Sequence, residues 1–357
     1  MLSEAVGNKH VKEVVPLKPH RAAVHPSLFS SAIASLTAIL LMLSHSAILA
    51  SERPIETVRV TIPAPMAFEF LPFILGRERG IYRSQDISLE LPILRPQLSV
   101  AAVLSGEADY ISTLISPARA AVEGLPFKIL MVLFDRPLFH VVAQPGIQSV
   151  KDLRGKTVAS GQLKSGSQLS VASLIRSGGL NPDHDVQWAY LPDADQALAA
   201  LVSRAIDATM LAPPLHVRAR RLGFRDLGEV GRTFSAPIHG LATLDKRVKE
   251  NPAQVRGLIL STLQSVAYVR EHPEEVIAEI EKRWKVDSET ARDSYRLMVG
   301  GMTPDGKMAE PVFLQSLGDV LAGEGISEER TRSAVKNLLD YEWLRQAHKE
   351  LEASGRK

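Results

Sequence analysis

The chain of 357 residues contains no cysteine. That absence excludes disulfides, thiolate nucleophiles, cysteine-held iron–sulfur clusters and lipid attachment at a cysteine. It also removes any lipobox, so a processed form is expected to be soluble rather than lipid-tethered. An excess of one charge is missing as well: 42 basic residues face 40 acidic ones. Residues 1–50 hold four of the basic and two of the acidic groups, which leaves 38 of each beyond them. A balanced surface of this kind gives no polyanion footprint, and no nucleic-acid partner is expected. Catalytic spacings are lacking too. His140, His184, His216, His239 and His272 are scattered, without an HxxH or HExxH pair, so no metal site is expected. A Gly-x-Ser-x-Gly elbow is absent, and Lys164-Ser165 lacks the preceding glycine pattern of a phosphate loop. The reading is of a protein that is not an enzyme and carries no cofactor.

Long apolar runs are rare, and the one that matters lies near the start. Residues 29–43 (FSSAIASLTAILLML) carry no charge and follow a mildly basic segment with Lys9, Lys12, Lys18 and Arg21. Ser44, Ser46, Ala47 and Ala50 then supply small side chains. A basic region, a short apolar core and small residues define a secretory signal, and the core is short for a membrane span of roughly 20 residues. Export to the periplasm follows, with residues 1–50 as signal peptide and N-terminal extension. Ser44-His45-Ser46 fits the small-x-small rule best.

Beyond residue 50 the hydrophobic period switches repeatedly between two and 3.6. Val58, Val60 and Ile62 alternate as a strand, and Phe70, Leu71, Ile74 and Leu75 fall at helical spacing before Gly80. Further strands are expected at 87–93, 108–114, 127–134 and 139–143, with a helix over 97–105 and another opened by Pro117. After the Pro145-Gly146 punctuation a second set begins. It has strands at 156–159, 186–190, 207–211 and 238–243 and helices at 168–176, 193–203 and 215–222. Residues 245–350 read as almost wholly helical. Alternating strands and helices predict βαβ units and largely parallel sheets. The fold class is α/β, with two α/β lobes, a central cleft and a helical C-terminal tail. Lobe one is expected to take residues 51–143 and 240–357, and lobe two residues 144–239. The crossings then fall near 143–146 and 236–240, which would bring His140 and His239 close together; the plain reading of both is a satisfied structural histidine.

Four segments carry a resemblance. They are residues 71–82 (LPFILGRERGIY), 102–110 (AVLSGEADY), 147–159 (IQSVKDLRGKTVA) and 198–211 (LAALVSRAIDATML). In order and spacing they resemble the nitrate/taurine/sulfonate type of periplasmic solute-binding proteins, the NMT1/THI5-like group, whose relatives include thiamine-precursor receptors. The resemblance implies a type II periplasmic binding protein fold. It also implies a monomeric receptor that captures a small-molecule ligand and delivers it to the ABC permease subunits of an importer. A pyrimidine-synthase branch of the same superfamily depends on a cysteine-bearing segment, which this chain lacks. A ligand-sensing module serving a non-transport partner stays open beside the transport reading. The glycines within the motifs, Gly106 and Gly155, have an architectural reading as helix stop and tight turn.

Ligands of open α/β lobes sit beyond the carboxyl ends of the strands, against helix starts. Three loops meet that condition. Met66, Phe68 and Glu69 follow the first strand, and Ser112 and Thr113 follow the strand near Asp109. Lys164, Ser165, Gly166 and Ser167 precede the helix of the second lobe and are expected to clamp an anionic group. Pro213 and Gly240 flank the corresponding cleft region. Apolar Met66 and Phe68 beside this clamp suit a small organic acid or a heteroaromatic ring better than a bare inorganic anion, because burying an apolar group contributes about 1–3 kcal/mol.

Overall fold

The computed structural model describes residues 54–63, 68–161, 163, 166–191, 193–321 and 325–355. The expected signal within residues 1–50, and Met66, Lys164 and Ser165, lie outside the described residues. From Pro54 onward the chain forms a single unit of mutually contacting elements.

The chain enters as β1 (Glu56–Thr61), whose Val58 and Val60 are buried while Arg59 points out, as period-two alternation requires. A short 3-10 turn at Phe68–Phe70 leads into α1 (Leu71–Glu78), and β2 (Ile87–Glu90) returns parallel to β1. Pro96 opens α2 (Pro96–Ser105), where its missing N–H removes no helix bond, and Gly106 closes it at φ 83°. Next come β3 (Tyr110–Thr113), α3 (Ile115–Val122) and the almost wholly buried β4 (Phe127–Phe134). The chain then crosses to β5 (His140–Ala143), β6 (Thr157–Ser160), α4 (Gly166–Ser177) and β7 (Gln187–Tyr190). Asp193 caps α5 (Ala194–Val202) by accepting from the Gln196 N–H at 2.8 Å. After β8 (Ala208–Leu211), α6 (Leu215–Arg221) and β9 (Arg225–Glu229), the chain returns as β10 (His239–Leu244). The tail is α7 (Asp245–Glu250), α8 (Pro252–Glu271), α9 (Pro273–Trp284), α10 (Ser288–Gly301), α11 (Glu310–Leu321), α12 (Glu328–Leu338) and α13 (Glu342–Ala353).

Two five-stranded sheets result, ordered β2-β1-β3-β10-β4 and β7-β6-β8-β5-β9. In each, four strands run the same way and one, the fourth in order, runs antiparallel to both its neighbours. Val60, Tyr110, Leu241 and Leu258 belong to the core on one face of the first sheet, and Ile111, Ala242 and Phe313 to the core on the other. The second sheet is likewise covered on both faces, around Val141 and Val171 and around Val142 and Leu201. These are two α/β lobes with a cleft between them and a helical tail, as expected.

Three details differ from the sequence expectation. Residues 140–143 pair with β8 and β9, so the first crossing falls at 135–139 and this strand belongs to the second sheet. An apolar four-residue strand suits either sheet, and only its hydrogen-bond partners decide. The strand β9 is an addition to the expected set, because its sequence RDLGE has no apolar alternation. Pro117 sits inside the first turn of α3 rather than opening it; the early N–H groups of a helix have no intrahelical acceptor, so it is accommodated there.

The lobes also touch. Val320 of α11 packs into the second-lobe core. Arg221 at the end of α6 pairs with Asp287, the N-cap of α10, and with Glu289 at 2.8 Å.

Candidate functional site

Parallel strands β1 and β3 end on the same side of the first sheet, and antiparallel β10 starts there, with His239 opposite Thr113. In the second sheet β6 and β8 end together and β5 starts beside them, with His140 opposite Leu211. The two sets of strand ends belong to one place. Gly166 opens α4 after β6, and a Cβ built on it would lie 2.8 Å from Cδ1 of Ile115, which opens α3 after β3. Two helix starts, one from each lobe, therefore meet across the cleft.

Buried polar atoms collect at this level. Among the described residues, those without a hydrogen-bond partner include Thr61 Oγ1, Glu69 Oε1, Thr113 Oγ1 and His239 Nδ1 from the first lobe. The second lobe supplies Ser160 Oγ, His140 Nε2 and both ring nitrogens of His216. A buried polar group left unpaired costs about 1–3 kcal/mol, so such groups are rare outside sites that use them. Ser261 Oγ on α8 is a further such atom.

Their electrostatics follow from burial. Desolvation raises the Glu69 carboxyl above its ordinary value, against a weaker pull from its own backbone N–H. His239, packed edge-on to Phe70 at 4.6 Å, is held down to about 3 by desolvation and is neutral. His216 is also lowered to about 3, first by burial and then by the His140 ring stacked on it at 4.2 Å. Asp226 fixes the other side of that stack, with its carboxylate oxygens 3.0 and 3.2 Å from His140 Nδ1. Burial works against the Asp226 charge, but the bonds from His140 and the Gly228 N–H keep it below the usual carboxylate range. With Nδ1 taken by Asp226, Nε2 is the ring nitrogen of His140 left without a partner. The site thus offers neutral imidazoles, one carboxyl and several hydroxyls. Among the described residues no group of three histidines or acids gathers as a metal site.

The residues expected from sequence fall unevenly on this arrangement. Thr113 ends β3 and Glu69 lies in the 3-10 turn beside Phe70, whose ring meets His239; both keep orphaned oxygens. Gly166 and Ser167 begin the helix that faces Ile115. Phe68 is buried and meets Trp284 edge-on at 5.3 Å, which makes it part of the first-lobe core. Ser112 gives its hydroxyl to Thr61 O at 2.5 Å and ties β3 to β1. Pro213 is buried in the turn after β8, and Gly240 is glycine because a Cβ there would lie 2.0 Å from the Met131 carbonyl oxygen. His140 and His239 are not the satisfied residues expected, since each keeps an unpartnered nitrogen; their ring neighbours are His216 for the one and Phe70 and Phe134 for the other. Thr61, Ser160, His216 and Asp226 are additions that the sequence reading does not mark as site residues. For Thr61 and Ser160 a signal exists in the sequence, since each ends a strand.

The sequence profile of the family described as "NMT1/THI5 like" matches residues 67–276. The riboflavin-binding protein RibY of Chloroflexus aurantiacus is 25% identical over 216 residues, which are 58% of this chain and 60% of that protein's length. Among solved structures, the periplasmic nitrate-binding protein NrtA of Synechocystis superposes with a TM-score of 0.68 at 14% identity, covering 84% of this chain and 89% of its own. A putative periplasmic sulfonate-binding protein, SsuA of Methylobacillus flagellatus, gives 0.65 at 18% identity, covering 85% and 97%. At these identities the structural likeness concerns the fold.

Proposed function

This chain belongs to the NMT1/THI5-like family, and from that premise we propose that it is an extracytoplasmic receptor. It captures a small organic solute, anionic or heteroaromatic, between its two lobes and delivers it to the permease of an ABC importer. The observation that carries this reading is the set of unpartnered, buried polar groups at the strand ends of both lobes, where α3 and α4 meet start to start. Support comes from the nitrate- and sulfonate-binding proteins that share the fold and from the riboflavin-binding relative. Glu69, Thr113, Gly166 and Ser167 are proposed ligand contacts, joined by Thr61, Ser160, His140, His216 and His239. Met66, Lys164 and Ser165 complete the set on sequence grounds, with Ser112, Pro213 and Gly240 shaping the rim and Phe68 backing it. The role is binding without turnover, as a monomer. Residues 1–50 direct export, and sequencing the secreted protein from its N-terminus should give a start between about 45 and 53. Recovery of the full-length chain from the cytosol alone would contradict export.

Calorimetry with nitrate, alkanesulfonates, carboxylates, pyrimidines and riboflavin tests the receptor reading. One class should bind. Gly166→Leu should then weaken it at least tenfold, because the new side chain meets Ile115 and props the lobes apart. Ser167→Ala removes one hydrogen bond to a charged ligand group, roughly 1.5–3 kcal/mol, or about ten- to a hundredfold in affinity. Folded variants that bind as tightly as the parent would place the ligand elsewhere.

A further inference from the structure

The stretch 218–232 holds Arg218, Arg220, Arg221, Arg225 and Arg232 against Asp226 and Glu229. No lysine occurs between Lys164 and Lys246, so the cationic surface here is all guanidinium. Arg218, Arg220 and Arg221 lie on α6, Arg225 opens β9, and Arg232 follows just beyond its end. The fold brings Arg220, Arg225 and Arg232 together at one edge of the second lobe. The sheet stops at β9, which pairs with β5 on one side only. A depression of about 550 Å³ follows this edge strand, with Arg220, Arg225 and Arg232 outnumbering Asp226 and Glu229 around Phe224, Leu227 and His140.

The charges on this edge are unevenly used. Arg221 is taken by Asp287 and Glu289. Asp226 is held by His140 and by the Gly228 N–H at 2.9 Å, with Arg220 at 3.9 Å. Arg218, Arg225 and Arg232 are exposed and form no ion pair among the described residues.

We propose that this edge docks an extended acidic segment of a partner protein. Its carboxylates are gripped by Arg225 and Arg232, and its backbone lies along the free side of β9. Planar guanidinium groups match carboxylates two bonds at a time, which ammonium groups cannot do. A sheet edge with unpaired backbone groups is a ready template for an added strand. The surface is concave, so a chain segment can follow it where a flat lipid bilayer cannot. The depression shares His140 and Asp226 with the strand-end site, but its arginines belong to none of the proposed solute contacts, and the proposal does not depend on the solute-receptor reading.

Charged side chains on an edge strand can also serve only to prevent aggregation, and the experiment separates the two. Fluorescence anisotropy of the full protein with a labelled peptide of alternating glutamate and valine, at about 20 mM salt, should give saturable binding. Affinity should fall about tenfold or more by about 300 mM salt, since exposed charges are screened. R225E/R232E should abolish binding while melting at the parent's temperature, and R176E, an exposed change on α4, should bind as the parent does. The proposal is overturned if the parent binds no peptide, if R225E/R232E binds equally well, or if phosphatidylglycerol vesicles bind and the peptide does not. Self-association of R225E/R232E together with no peptide binding by the parent would assign the arginines to edge protection and would equally overturn it.

Discussion

His239 lies 4.6 Å from the Phe70 ring and 6.2 Å from that of Phe134, and this setting decides its charge. An imidazolium there would lose its water and gain no acidic partner, which is why His239 stays neutral down to about pH 3. His216 behaves alike, through burial and the neighbouring His140. The unfolded chain takes up a proton on each ring as pH falls through about 6.5, while the native rings resist until about pH 3. The stability tied to these rings is therefore complete above about pH 6.5 and is lost as pH falls, at roughly 1.4 kcal/mol per pH unit for each. Glu69 acts in the opposite sense: its raised pKa gives a contribution present below its ordinary value and lost as pH rises through the native one. Replacing His239 by phenylalanine in this aromatic niche should flatten the fall in urea stability between about pH 6 and pH 5 by one proton's worth. Equal slopes for parent and variant would mean that His239 is protonated in the native state. These charge states are not legible in the sequence, although the positions of His239 and His140 near the crossings are. Desolvation depends on neighbours brought from far along the chain, as with Asp226, which lies 86 residues from His140.

Most elements are legible because each carries its own start and stop. Pro96 and Gly106 bound α2, and Asp193 caps α5. β9 is hidden because its strand character comes from pairing with β5, and a glycine and three charged residues in five mask it. The contact between α6 and α10 is equally unreadable, since Arg221 meets Asp287 and Glu289 only once both lobes exist. This pair joins the lobes from the side of the tail. Arg221→Ala should enlarge the ligand-free particle in solution scattering and weaken solute binding several-fold. The loss should shrink in high salt, where the parent's ion pairs are themselves screened. An unchanged radius and affinity would reduce the bridge to one of the many exposed pairs that contribute nothing measurable.

At the scale of the whole molecule, the order of four motifs is enough for the architecture. The first is a helix between two strands, each of the other three runs from a helical turn into a strand, and their succession dictates βαβ winding. The crossing point is not readable in the same way, since apolar residues 139–143 suit either lobe until their partners are known. The winding also constrains the order in which the lobes can form. The place between β3 and β4 in the first sheet is filled by β10, the last strand of the chain, whereas every strand of the second sheet lies between residues 140 and 229. A chain emerging from its N-terminus can thus pair every strand of the second sheet while the first still has a gap between β3 and β4. A protein ended after residue 236 should keep slow amide exchange in β6 and β8 but exchange freely in β3 and β4. Protection of β3 and β4 in that shortened chain would show that the first lobe forms without β10. With protection limited to the second lobe, assembly runs against the order of synthesis: the half of the protein made first is the half that folds last.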